Sequence, residues 1–180
     1  MKLKVLAALG FILIFTASPI QALERFTLYM VQSTLKEHGY TLNEPDGLMG
    51  PATREALSRF SKAYGAPSDP DGAFKFMINL SVAARRPIID EAVLEKIKIG
   101  VAEQLRDPLS VMIRNVYRVT DGDNEKVCGE VNGKNAYGGY AGYTPFSGMM
   151  LMGHFAILQV DGPDSPIAEL RCLLSFPIKR

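Results

Sequence analysis

The chain has 180 residues, with 20 basic and 19 acidic side chains, a formal net charge of +1, two cysteines and two histidines. That near-neutral balance argues against nucleic acid or an anionic membrane surface as partner, because both select concentrated Lys and Arg. A zinc site commonly draws on two or three closely spaced histidines, so no metal or cofactor is expected.

Lys2 and Lys4 precede an apolar run from Val5 to Ala17, and Ser18-Pro19-Ile20-Gln21-Ala22 follows. Basic, then apolar, then small is the order of a secretory signal peptide. The apolar run of about thirteen residues is short of the roughly 20 that span a bilayer. Residues 1–22 therefore read as a signal peptide. The remainder reads as exported, periplasmic or secreted, with no stable membrane insertion after cleavage. Cleavage leaves 158 of the 180 residues and, by removing Lys2 and Lys4, moves the net charge from +1 to −1. That length suits one medium domain or two small ones.

Leu28, Val31 and Leu35 share one face of a helix starting near Phe26. Gly39, after Lys36-Glu37-His38, suits the left-handed residue that ends it. Pro45-Asp46-Gly47 is a turn, and Gly50-Pro51 announces a second helix, since proline at the first helical position lacks only an N–H that would go unused. Ala56, Leu57, Phe60 and Tyr64 line that helix. The pattern Val31-Gln32-x-x-Leu35-x-x-x-Gly39-Tyr40, then Asp46-Gly47-x-x-Gly50-Pro51-x-Thr53-x-x-Ala56-Leu57-x-x-Phe60, resembles the peptidoglycan-binding-like domain family over residues 24–66. The resemblance implies a small three-helix module and attachment to, or recognition of, the bacterial cell wall. Ser61 departs from the pattern, standing where the family often has Gln after the helix Phe. Most of the motif reads as backbone-shaping glycine and proline or as core. Gln32, Tyr40, Asp46 and Thr53 are the candidate ligand contacts.

Residues 67–88 read as a linker and connecting helix. Gly65 to Gly72 is loop-forming by composition. Phe76, Met77, Leu80 and Ala84 then have helical spacing, and that helix either completes the first module or packs between two.

Residues 89–180 read as an α+β domain, one helix packed on an antiparallel sheet. Asp90 caps a helix with Val93, Ile97, Val101 and Leu105 on its apolar face, and Asp107-Pro108 stops it. Val116–Val119 and Lys126–Val131 are β-prone runs, and Asn132-Gly133 is a hairpin-turn dipeptide. Residues 149–160 and 167–176 supply further strands. The strings Val127-Cys128-Gly129-Glu130-Val131-Asn132-x-Lys134-Asn135 and Tyr137-Gly138-Gly139-Tyr140, with Gly142-Tyr143-x-Pro145-Phe146, resemble a domain that recurs in small exported bacterial proteins, over about residues 90–176. That resemblance implies a shared fold and no activity.

Cys128 and Cys172 are an even pair in a chain read as exported, which points to a disulfide. It would close a loop of about 45 residues, worth about 4 kcal/mol in the chain-entropy picture. A reactive thiol is the competing reading, with His154 as its base. The Ser-x-Gly-Cys order of wall transpeptidases is absent, however, and so is a Gly-x-Ser-x-Gly elbow. Glu130 is the one carboxylate singled out as a general acid or base. Tyr137, Tyr140 and Tyr143, interleaved with glycine and flanked by Asn132, Lys134 and Asn135, offer aromatic and hydrogen-bonding surface to a ligand. These residues suggest an exported, non-catalytic protein that binds peptidoglycan or another wall glycan through its N-terminal module. The alternatives are a wall hydrolase or transferase using Cys128/His154 or Glu130, and a domain that binds an envelope protein through the tyrosine loop.

Overall fold

The structure is a computed structural model that describes residues 19–121, 124–162 and 165–177. It has the expected α+β class, with three helices first and then an antiparallel sheet carrying two more.

Helix α1 (Pro19–Glu37) begins seven residues before the expected start near Phe26. No glycine or proline interrupts Ile20 to Arg25, so nothing there breaks the helical run. The signal-peptide reading falls outside the described residues as far as residue 18, and Pro19 to Ala22 form the first turn of α1. Gly39 closes α1 as expected. At φ +81° its N–H donates to Lys36 O at 3.0 Å, while the Tyr40 N–H donates to Leu35 O at 3.0 Å. That pair of bonds is a Schellman cap. Helix α2 (Pro51–Tyr64) starts at the proline after Gly50 and ends at left-handed Gly65.

The segment expected as a linker and connecting helix contains α3 (Pro70–Ala84), whose first turn is capped by the Asp69 side chain. Ala73 and Met77 bury into one core with Val31, Leu35, Ala56, Leu57 and Phe60. Helix α3 therefore completes a three-helix bundle, and the connection proper is the two-residue strand β1 (Arg86–Pro87).

The second half is a meander in the order β1-β2-β3-β4-β5, with β2 Met112–Asp121, β3 Asn124–Asn132, β4 Thr144–Leu151 and β5 His154–Val160. Helix α4 (Glu91–Ala102) is capped by Asp90 as expected, and lays Ile97 and Val101 on Val116, Val127, Val131, Phe146 and Phe155. A Cβ on Gly100 would collide with the Phe155 carbonyl oxygen, so glycine is what lets α4 approach β5 this closely. Side chains alternate across a strand, so Cys128 faces away from Val127 and from α4.

Two expectations are corrected in this half, the strand at 167–176 and the hairpin at Asn132-Gly133, and the strand expected at 149–160 is present. Residues 167–176 are a helix, α5 (Ile167–Leu173), followed by an extended tail, where a strand was expected. Ala168 and Cys172, four apart, bury together, and the Asp161 carboxylate accepts from Ala168 N at 2.6 Å and Glu169 N at 2.9 Å. Those bonds satisfy N–H groups that a helix start leaves without internal partners. Residues 149–160 end β4 and then form β5 across Met152-Gly153, whose φ values of 49° and 84° suit a two-residue hairpin turn. Asn132-Gly133 is no hairpin turn. Neither residue has positive φ, and the chain instead reverses where Gly138 (φ +80°) donates its N–H to Asn135 O at 3.0 Å. Leu105 packs against Gly133, and Ser110 Oγ accepts the Lys134 N–H at 2.8 Å, which holds the chain extended past the dipeptide.

The halves share a core. Leu174 and Phe176 from the C-terminal tail enter the helical bundle, where Phe176 stacks on His38 with ring centroids 4.1 Å apart. The His38 ring nitrogens meet Thr34 O at 2.8 Å and Phe176 O at 3.0 Å, and Ser81 Oγ donates to Cys172 O at 2.8 Å.

Candidate functional site

The motif residues of the helical module converge on Gln32, only 4% exposed on α1. Its amide oxygen accepts the N–H groups of Asp46 (3.0 Å) and Gly47 (2.8 Å). Its amide nitrogen lies 3.0 Å from each of Asp46 Oδ1, Leu48 O and Thr53 Oγ1. Three of the four candidate contacts, Gln32, Asp46 and Thr53, thus organise the loop between α1 and α2. Of these, Asp46 alone is exposed. Hydrogen bonds from the Leu48 N–H and the Gln32 amide hold its carboxyl below the ordinary carboxylate value. Leu48 and Met49 project from the ordered loop as exposed apolar side chains. Tyr40 is half-buried against Phe60, its hydroxyl pushed above the usual range by burial, and Arg59 lies over its ring at 5.6 Å. Ser61, the departure from the family pattern, turns back to donate to Ala66 O at 2.6 Å.

A second concave surface lies where the β3–β4 loop meets the turn after α4. It is a groove of about 520 Å³ that includes Arg106, Asn132, Lys134 and Tyr143 in its lining. Asn132 is 8% exposed, and its Oδ1 has no hydrogen-bond partner among the described residues. Arg114 stacks 3.8 Å over the Tyr143 ring and also pairs with Glu130, fixing the orientation of the ring. Asp161 lines the groove too, with both its carboxylate oxygens accepting N–H groups of α5, so the groove holds a fixed acid beside the cations of Arg106 and Lys134. The three tyrosines are not equivalent. Tyr143 lines the groove, Tyr140 donates its hydroxyl to Ser110 O beside Lys134, and Tyr137 projects from the loop tip at 96% exposure.

The residues considered for catalysis are separated. Cys128 and Cys172 form a disulfide, so neither sulfur is available as a thiolate. Cys128 pairs with Ser147 and His154 with Leu151, positions four residues apart along β4. At strand spacing that is about 13 Å. Glu130 accepts from Arg114 Nε at 2.8 Å and from Asn115 Nδ2 at 2.6 Å. Those donors, Arg114 first, hold its carboxyl below the ordinary glutamate value, the opposite of what a general acid needs.

Arg59, Arg106 and Arg114 are absent from the sequence-derived candidates. No motif carries them. Arg114 could be found only from strand register, which sets it opposite Glu130. In comparisons with known proteins, no family model, curated protein or solved structure matches the chain.

Proposed function

We propose that this is an exported, non-catalytic protein that associates with bacterial cell-wall peptidoglycan, or another wall glycan, through its N-terminal helical module. The observation that carries this reading is the hub at Gln32. It gathers the motif residues Asp46, Gly47 and Thr53 into one ordered loop, with Leu48 and Met49 exposed beside it. A loop already held in one conformation loses little freedom on binding. The disulfide is in keeping with an oxidising, extracytoplasmic location, and among the described residues no helix is long and apolar enough to cross a membrane. The groove at Tyr143 and Asn132 offers a second surface to a glycan, while Tyr137 at the loop tip is the side chain an envelope protein would meet first.

Sedimentation with purified sacculi tests the proposal. The protein should move from supernatant to pellet saturably as sacculi are added, and Leu48→Ala with Met49→Ala should weaken the shift. A supernatant fraction that sacculi leave unchanged sinks wall association, and release of muropeptides by the purified protein sinks the non-catalytic part.

A further inference from the structure

A cavity of about 240 Å³ lies on the α5 side of the sheet, beneath the Cys128–Cys172 disulfide. Its lining includes Arg85, Tyr117, Glu130, Phe146, Glu169 and Leu173. Arg85 lies 4.5 Å over the Tyr117 ring, which fixes the guanidinium at the wall. Its Nε is buried without a hydrogen-bond partner, and Arg85 has no ion pair among the described residues. Glu169, in the first turn of α5, likewise has no cation within salt-bridge distance among the described residues. Opposite charges thus line one small cavity without meeting across it.

The rest of the wall is built around that gap. Strand β2 bulges between Arg114 and Tyr117, with Asn115 at φ 51°, a left-handed conformation that a non-glycine residue adopts at a cost. The bulge brings both Arg114 and Asn115 onto Glu130, which neutralises and fixes that carboxylate at the rim. Glutamate 169 is left as the uncompensated acid. The cavity is smaller than the roughly 300–1,000 Å³ of drug-sized sites.

We propose that this cavity binds a small zwitterion, an amino acid or dipeptide, with its carboxylate on Arg85, its ammonium toward Glu169 and its side chain against Pro145 and Leu173. Arginine presents a planar fork of N–H donors that matches a carboxylate, and the ring beneath it holds the fork in place. The site is apart from the Gln32 loop, and the proposal does not rest on wall association, so either can fail alone.

The test is a titration of the full, oxidised protein followed by NMR, reading the resonances of Tyr117 and Leu173. The ligands are L-alanine, D-alanine and alanyl-alanine, beside N-acetylalanine and alaninamide, each of which lacks one charge. Saturable shifts with a zwitterion, weakened at least about tenfold by blocking either end, support the site; that factor corresponds to losing one charged contact. Preference among the three zwitterions tells free amino acid from peptide. Arg85→Gln should weaken binding similarly, and Glu169→Gln, on an exposed helix face, does so without disturbing the core. Absence of saturable shifts, or shifts indifferent to both blocked ends and both substitutions, overturns the proposal.

Discussion

Gln32 and Glu130 are both polar side chains that the fold satisfies, but they differ in what water can do for them. Gln32 is shut away from solvent, so the buried groups it serves, the Gly47 N–H and the Thr53 hydroxyl, lose that partner if it is removed. An orphaned buried group costs about 1–3 kcal/mol, so Gln32→Ala should lower unfolding stability by about 3 kcal/mol in a urea titration. Glu130 sits in an exposed ion pair with Arg114, worth about 1 kcal/mol or less. Its carboxyl is held below the ordinary value of 4.5, so its contribution is complete above that pH and is lost as the pH falls below it. Urea midpoints of the protein and of Glu130→Gln should therefore differ at pH 7 and draw together as the pH is taken progressively below 4.5.

At the scale of elements, two loop glycines separate conformation from crowding. Gly47 has φ +69°, and a Cβ there would lie 2.6 Å from the Arg25 backbone oxygen. Gly138 has φ +80° with nothing within 4 Å of the position. Gly138→Ala should cost about 1 kcal/mol, the price of a left-handed backbone alone, and Gly47→Ala about 3 kcal/mol, because overlap is added. Thermal unfolding of the two variants side by side checks the ranking; equal shifts would mean that the Arg25 contact is immaterial. The same reasoning explains the misplaced hairpin. Asn132-Gly133 is a turn-forming pair in isolation, but the contacts with Leu105 and Ser110, both distant in sequence, keep it extended.

For the whole molecule, the C-terminal tail decides whether there are one or two folding units. Phe176 is buried among Phe60, Tyr64 and His38 of the helical bundle, while Cys172, four residues earlier, is bonded to the sheet. Unfolding either half therefore exposes the core of the other, and calorimetry should give a single cooperative transition. Phe176→Ala should cost about 3–5 kcal/mol by opening a cavity, and should split or broaden that transition.

The sequence by itself determined the elements whose signals are local. Gly39 ends α1, Pro51 starts α2 and Asp90 starts α4, because each acts through its own backbone or the next turn. The disulfide was legible from an even pair of cysteines in a chain whose first residues read as a signal peptide. Tertiary structure alone decided the rest, because the forces involved link residues far apart. Helical α5 depends on Asp161 and on the disulfide, the groove on Arg106 meeting Asn132, and the zwitterion cavity on α3, the sheet and α5 closing around Arg85. Gln32 shows the division within one residue. Its place in a motif is written in the chain, but its burial at the centre of the loop follows only once α1, Asp46 and Thr53 have come together.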